Sequence, residues 1–200
     1  LAQENIRPEN RFYRYDYYRD NCSTRIRDLI DKVLGGALRS ATESRITTLT
    51  YRSETVRLLD DMKLAQFGVA VALGRPADRP LTAWEAGFIP MRLRDELRDV
   101  RGPGANGPVA LVATQLEMYV SSTYHDRADA PRLWGLYLLI GALVAIDMFG
   151  VGLIGETKHG VDTAFRVEAA VWALVTGALG FVIVGGWAAT QHVFWYRNES

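Results

Sequence analysis

The sequence predicts an α+β domain in residues 1–125, followed by a hairpin of two membrane-spanning helices. Segments with helical apolar spacing alternate with short strand-like stretches in the first part of the chain. Charged residues of both signs are concentrated there, since only five of the 23 Asp and Glu residues and three of the 23 Lys and Arg residues follow Leu133. From Leu133 onward two long apolar runs dominate, so the chain divides into a soluble part and a membrane part.

The first predicted element is a short aromatic strand over residues 12–18, which leads directly into a helix over residues 22–34. The strand is rich in Tyr, a residue enriched in β-structure. In the helix, apolar residues recur at helical spacing, and Gly35-Gly36 supplies a stop. The apolar residues are Ile26, Leu29, Ile30, Val33 and Leu34.

Further helices are predicted over residues 51–71 and 91–100, with a short helix between them that begins after Thr82. Thr82 and Glu85 have the spacing of a capping box, in which each side chain bonds the backbone N–H of the other. Residues 74–80 form a loop by their Gly and Pro content, and residues 109–121 are strand-like. Residues 126–132 then link the domain to the membrane.

The two apolar runs, residues 133–155 and 169–191, are each predicted to be a transmembrane helix. A helix of about 20 apolar residues crosses the hydrocarbon core of a bilayer. Aromatic residues at their ends fit the belts found at membrane interfaces. A buried helical hairpin in a soluble protein is the alternative, but a chain this short has too little other structure to cover two such segments. Residues 156–168 are expected to form the connecting loop, and residues 192–200 an interfacial tail.

Cys22, the single cysteine, is predicted to occupy the first turn of the helix over residues 22–34. The free N–H groups and the positive dipole end at a helix N-terminus favour a thiolate, the nucleophilic form of cysteine. Arg25 adds positive charge nearby and could support an oxyanion, or it could belong to a surface ion-pair lattice. The alternative for Cys22 itself is a buried structural cysteine.

The stretch from Tyr15 to Asp28 reads aromatic-Asp-aromatic-aromatic-x-Asp-Asn-Cys-x-Thr-Arg-x-Arg-Asp. This pattern resembles the Lnb N-terminal periplasmic domain family, which is similar to circularly permuted papain-like (NlpC-like) cysteine enzymes and includes bacterial lipoprotein N-acyltransferases. The resemblance continues through residues 51–52, 73–74, 78, 80–85 and 88–97, and reappears at 190–199. It implies that the domain is the C-terminal part of a permuted papain-like fold.

The resemblance further implies a membrane-anchored acyltransferase of the bacterial inner membrane, with its soluble domain in the periplasm. Cys22 would take an acyl chain from a phospholipid and pass it to an amine, such as the N-terminus of a lipoprotein. Asn21, Thr24 and Arg25 are candidates for supporting the oxyanion or for holding the groups that do. His192 and Asn198 are candidates for contacts with a lipid headgroup.

The partner histidine of Cys22 is expected upstream of this sequence, because in the permuted papain-like arrangement the histidine strand precedes the cysteine. The chain contains His125, His159 and His192, all after Cys22. His125 and His192 are local substitutes that would share a compartment with Cys22 if the two spans form a hairpin. This 200-residue piece alone is therefore expected to be inactive.

Two other functions remain open: an envelope cysteine peptidase or amidase, and a non-catalytic membrane scaffold with an inactive papain-like domain. The net charge of zero argues against a nucleic-acid partner, which a basic face would bind. The sequence has no metal-ligand spacing and no Gly-rich phosphate loop, so neither a metal nor another cofactor is indicated. The expected partners are membrane lipid and a lipoprotein or other envelope protein.

Overall fold

Helices make up most of the regular structure in the computed structural model, which describes residues 7–9, 12–102, 104, 107–122, 126–155 and 159–189. The helices and strands are α1 Cys22–Val33, α2 Ala37–Thr42, α3 Tyr51–Leu58, α4 Lys63–Ala72, α5 Ala83–Ala86, α6 Pro90–Asp99, β1 Arg101–Gly102, β2 Val109–Ala110, α7 Trp134–Gly155 and α8 His159–Ala189; a 3-10 turn spans Arg75–Asp78. The class is α+β with a minimal sheet, followed by two long apolar helices.

Helix α1 confirms the prediction for residues 22–34, because the structure has it from Cys22 to Val33 with Leu34 as the C-cap. The chain leaves the helix through Gly35 and Gly36, whose φ angles of 64° and 88° lie in the left-handed region. Glycine adopts this conformation without the steric cost that a Cβ would add. The helix therefore ends where the glycine pair predicts, because the backbone there adopts a conformation that favours glycine.

The aromatic strand predicted before α1 is wrong, since residues 12–15 belong to no strand or helix. The chain turns instead between Asp16 and Asp20, which exchange two backbone hydrogen bonds of 3.1 Å. The carboxylate of Asp16 also accepts hydrogen bonds from the backbone N–H groups of Tyr18 and Arg19, each at 2.9 Å. Asp side chains stabilise turns in this way and compete with strand pairing.

The single helix predicted over residues 51–71 is two helices, α3 and α4, separated by a turn at residues 59–62. After the turn, the side chain of Gln66 in α4 donates a hydrogen bond of 2.7 Å to the carbonyl oxygen of Val56 in α3. Gln66 is almost fully buried. The break thus lets α4 fold back against α3, an arrangement that a continuous helix would not allow.

The strand-like character predicted for residues 109–121 is confined to β2, which pairs antiparallel with β1. Gly102 lies opposite Val109, and Arg101 lies opposite Ala110. The other described residues of this stretch are irregular. A strand forms only where a partner presents backbone groups, and β1 is two residues long.

Two apolar clusters form the core of the domain. The first joins α3, α4 and the 3-10 turn to the segment after α5, and the second joins α1, α2 and α6. The buried residues are Tyr51, Leu73, Ala77, Leu81, Phe88 and Ile89 in the first cluster, and Leu38, Leu93 and Val100 in the second. Burial of such side chains is the main favourable contribution to folding. Phe88 links the first cluster to the start of α1, because its carbonyl oxygen accepts a hydrogen bond from Asn21.

A buried group of charged side chains fastens the domain to the linker that precedes α7. Glu54 and Arg57 are paired at 2.9 Å, with side chains only 1 % exposed. Arg92 also pairs with Glu54 at 3.0 Å and donates to the carbonyl oxygen of Ala128 at 3.0 Å. Arg57 reaches Asp126 in the same linker. Burial alone would raise the pKa of Glu54, but the hydrogen bonds from both arginines outweigh it and hold this pKa below its usual value.

Helices α7 and α8 contain apolar stretches, Trp134–Leu153 and Thr163–Ala189, that are long enough to cross a membrane, and none of either stretch is buried. A core helix of a soluble protein would be covered by other elements. Helix α8 begins at His159, so most of the predicted loop over residues 156–168 is helical. The helix includes the polar residues Thr163, Arg166 and Glu168. The predicted start at residue 169 is too late because it rests on apolar composition alone.

Candidate functional site

The thiol of Cys22 is exposed at the first residue of α1. The preceding residue, Asn21, is the N-cap, and no acidic side chain lies in the first helical turn. The first N–H groups of a helix have no partner within it, and together with the helix dipole they favour negative charge at this position. The structure therefore places the thiol where the sequence predicted it, accessible and at the positive end of a helix.

Asn21 is fully engaged in holding the start of α1. Its side-chain oxygen accepts a hydrogen bond of 2.9 Å from the backbone N–H of Thr24, while the backbone N–H of Asn21 donates to the Thr24 hydroxyl at 2.8 Å. Its amide nitrogen donates to the carbonyl oxygens of Tyr17 at 2.8 Å and Phe88 at 3.0 Å. Asn21 and Thr24 are both buried. Because these bonds use both side-chain N–H groups of Asn21, its geometry fits a positioning role for Cys22.

Two further residues of α1 bind the carbonyl groups that end α5. The hydroxyl of Ser23 donates to the carbonyl oxygen of Gly87 at 2.8 Å. Arg27 donates to the carbonyl oxygen of Trp84 at 2.9 Å, and its guanidinium lies 4.0 Å from the centre of the Trp84 ring. A Cβ on Gly87 would lie 3.0 Å from the Trp84 oxygen and 3.1 Å from the Arg27 side chain. The cysteine motif is thus held by backbone groups more than 50 residues away.

Arg25 points away from these contacts and pairs with Asp20 through two hydrogen bonds, of 2.5 and 2.7 Å. Its guanidinium also lies 4.0 Å from the centre of the Tyr13 ring. The hydrogen bond to Asp20 raises the pKa of Arg25 above its ordinary value. Of the two interpretations of Arg25 from the sequence, the structure shows the ion pair.

An apolar cavity of about 750 Å³ opens beside Cys22. Its walls come from the turn before α1, from α3 and α4, and from the segment between α5 and α6. Beyond Asn21 and Cys22 they are formed by Tyr15, Asp16, Tyr17, Tyr18, Thr55, Leu58, Leu59, Val69, Ala72, Leu73, Phe88, Ile89 and Pro90. Ligand cavities of proteins are about 300–1,000 Å³ and mainly apolar. The cavity has the size and lining for an apolar group held next to the thiol.

A second, smaller depression of about 240 Å³ is also lined by Cys22. Its lining includes Ile26 and Ile30 of α1 together with Leu93 and Leu97 of α6. Cys22 and Pro90 line both cavities. Cys22 therefore contributes to the walls of two apolar depressions.

Tyr15 is a site residue that the sequence did not single out individually. It lines the larger cavity together with Cys22, and its ring packs edge-on against Tyr17 at 5.5 Å. Desolvation, followed by the Coulombic interaction with the neighbouring Cys22, raises the pKa of Tyr15 above its ordinary value. The alternating aromatic residues before the cysteine are the signal for Tyr15 in the sequence, although their pattern predicts a strand.

Arg52 binds other parts of the domain and does not line either cavity beside Cys22. It pairs with Asp78 at 2.6 Å and donates to the carbonyl oxygen of Leu73 at 2.6 Å. The remaining predicted residues, His125, His192 and Asn198, lie outside the described residues. In the described part of the chain, neither cavity is lined by a histidine.

Comparison with known proteins agrees with this local geometry. Residues 1–61, which contain the capped cysteine helix and most of α3, match the sequence model of the Lnb N-terminal periplasmic domain. No curated protein and no solved structure matches the chain. Together with the two exposed apolar helices, the match describes a membrane protein with a periplasmic domain. Residues 1–61 of this chain are therefore similar to the Lnb N-terminal periplasmic domain family.

Proposed function

We propose that the protein is a membrane-anchored acyltransferase in which Cys22 carries the acyl group as a thioester. The observation that carries this proposal is the exposed thiol at a capped helix start, next to an apolar cavity of about 750 Å³. A helix N-terminus is a common setting for an activated cysteine nucleophile. An apolar wall beside the nucleophile favours an acyl chain over a polar peptide segment.

In the first step the Cys22 sulfur attacks the carbonyl carbon of a phospholipid ester. A carbon–sulfur bond forms, and the ester carbon–oxygen bond breaks. The lysophospholipid leaves after its oxygen takes a proton from a general acid. The negative charge on the tetrahedral oxygen needs donors that are already in place. We propose that the backbone N–H groups of the first turn of α1 and the hydroxyl of Tyr15 provide them, because Cys22 begins this helix and Tyr15 lines the same cavity.

In the second step an amine attacks the thioester carbon, so that a carbon–nitrogen bond forms and the sulfur leaves as the thiolate. A general base takes the proton released by the amine. We propose that a histidine serves as acid in the first step and as base in the second, supplied either by upstream sequence or by His125 or His192. The acceptor amine is proposed to be the N-terminus of a lipoprotein, and His192 and Asn198 are proposed to contact lipid headgroups.

We further propose that the domain faces the periplasm from the bacterial inner membrane, which α7 and α8 cross as a hairpin. The membrane segments bring the domain to the level of the lipid ester, the bond to be cleaved. Labelling an engineered cysteine at Gly160 in a Cys22→Ser background with an impermeant reagent on intact cells tests this topology. Efficient labelling there, comparable with that of a cysteine placed at Arg98 in the domain, would overturn it.

The proposed activity is tested by incubating the full-length protein with phospholipid vesicles and analysing it by intact mass. We expect a mass increase of one acyl chain that hydroxylamine removes, and that is lost in Cys22→Ser. Adding an amine-terminated diacylglyceryl peptide should transfer the chain to the peptide. Cleavage of a peptide or cell-wall fragment without acyl transfer would indicate the peptidase or amidase, and the absence of both would favour the scaffold.

The cavity is tested by Ala72→Phe, which adds a ring to one of its walls. Acylation from a long-chain ester should fall at least tenfold, whereas acylation from a short-chain ester should change less than twofold. Val33→Phe is the matched control, because Val33 is 72 % exposed on α1 and lines neither cavity. Equal losses with both esters would show that the cavity does not hold the acyl chain.

A further inference from the structure

Helix α4 turns an apolar face outward. Leu64, Phe67, Gly68 and Val71 follow the spacing of one helical face, and all four are exposed or half-buried. Leu64 is 90 % exposed, and Met62 just before the helix is 60 % exposed. A helix on the surface of a soluble domain normally turns its polar side to water. In α4 this pattern is reversed.

The opposite face of α4 is fixed against the domain, so the helix cannot turn its apolar face inward. Gln66 is buried and bonded to the carbonyl oxygen of Val56. Val69 and Ala72 form part of the wall of the cavity beside Cys22. The orientation of α4 is therefore set by packing and by a buried hydrogen bond, and its outer face stays available for something beyond the domain.

The depth of α4 relative to the membrane follows from one aromatic contact. The ring of Phe67 meets the ring of Tyr137 of α7 edge-on, with 5.5 Å between ring centres. Tyr137 lies three residues after Trp134, the first residue of α7, and therefore about 4.5 Å along the helix axis at 1.5 Å per residue. Tyr and Trp at the end of a span mark the headgroup level of a bilayer. Helix α4 thus lies at that level.

The linker holds the domain in this position through a second set of contacts. Arg127 of the linker pairs at 2.8 Å with Asp60, which lies in the turn that precedes α4. The buried charged group of Glu54, Arg57 and Arg92 binds the same linker. The linker before α7 is therefore held to the domain by two sets of contacts, one of them at the turn that precedes α4.

We propose that α4 is an interfacial helix, whose outer face of Leu64, Phe67, Gly68 and Val71 dips into the lipid of the membrane that α7 crosses. Lipid is the occupant favoured by the continuity of this face with the start of the span at Tyr137. An apolar helix face at headgroup depth gains free energy by burial among acyl chains. Since the inner face of α4 lines the cavity, bilayer lipid would lie one helix away from Cys22.

The lipid contact does not depend on the chemistry of Cys22; only its use as a route for the acyl donor rests on the proposed function. It is tested in Cys22→Ser, where Leu64→Cys supplies a single attachment point for an environment-sensitive nitrobenzoxadiazole dye. The full-length protein is placed in phosphatidylcholine vesicles with and without lipid that carries a doxyl quencher high on the acyl chain. Leu64 is so exposed that its replacement should leave folding intact.

We expect doxyl lipid to quench the dye at Leu64→Cys at least threefold more than the dye at Val33→Cys, the control on another exposed apolar residue. Iodide in the water should show the opposite order. Equal quenching by doxyl lipid at both positions would refute the proposal. Protection of the Leu64 dye from both quenchers would also refute it, and would point to a second copy or another protein segment over α4.

Discussion

Replacing Asn21 separates the two ways in which this residue holds the cysteine helix. In Asn21→Ala, Thr24 loses the acceptor of its backbone N–H, and the carbonyl oxygens of Tyr17 and Phe88 lose a donor. In Asn21→Ser the hydroxyl can still cap the helix, because Ser and Asn are both strong N-cap residues. Only the hydrogen bonds to the carbonyl oxygens of Tyr17 and Phe88 are then lost.

The expected magnitudes follow from these contacts. Loss of an N-cap costs about 1 kcal/mol. Leaving the buried carbonyl oxygen of Phe88 without its partner costs about 1–3 kcal/mol. The free energy of unfolding should therefore fall by about 2–4 kcal/mol in Asn21→Ala and by about 1–3 kcal/mol in Asn21→Ser. The difference between the two variants is the contribution of the cap.

Pulse proteolysis of the detergent-solubilised protein over a urea series measures the unfolding of the domain, because a short exposure to protease cleaves only unfolded molecules. Acylation of Cys22 per folded molecule should remain within about threefold of the wild type in Asn21→Ser, since the side-chain N–H groups of Asn21 are directed to carbonyl oxygens. Two results would refute the reasoning: equal stability of Asn21→Ala and wild type, or a loss of acylation beyond a hundredfold with stability unchanged.

The other predictions concern charged groups and a close contact around the site. Folding lowers the pKa of Glu54, so its carboxylate contributes fully to stability above about pH 4.3, the ordinary Glu value. This contribution is lost as the pH falls through the lower pKa of the folded state. Glu54→Gln should therefore flatten the acid dependence of stability measured by pulse proteolysis. Glu54→Ala should lower the free energy of unfolding by about 3–5 kcal/mol, because it leaves the buried charge of Arg57 without its partner. A decrease below about 1 kcal/mol would show that this buried charged group does not stabilise the domain. Arg25→Ala, which breaks the half-exposed pair with Asp20, should lower the unfolding free energy by no more than about 1 kcal/mol. Gly87→Ala should slow alkylation of Cys22 by iodoacetamide or destabilise the domain, since its Cβ would lie 3.0 Å from the Trp84 carbonyl oxygen. Wild-type behaviour in both assays would show that the loop can shift to accommodate the Cβ without cost.

The local sequence around Cys22 was enough to predict α1 and the position of the thiol. The cap and the stop of this helix lie within a few residues of its ends, at Asn21 and at Gly35-Gly36. Helix α7 was equally predictable, because a span needs only sufficient apolar length. The same rule placed the start of α8 too late, since polar residues also extend a helix beyond the apolar run.

The tertiary structure alone decided how the site is held and what surrounds it. Apart from that of Tyr17, the carbonyl oxygens bound by Asn21, Ser23 and Arg27 belong to residues 57 to 67 positions away, and no local pattern links them. The break between α3 and α4 was invisible because apolar spacing continues across it, while the buried hydrogen bond of Gln66 that fixes the fold-back spans two helices. Residue type and local spacing determine caps, turns and spans, whereas a cavity and the exposed face of a helix depend on which distant segments the chain brings together.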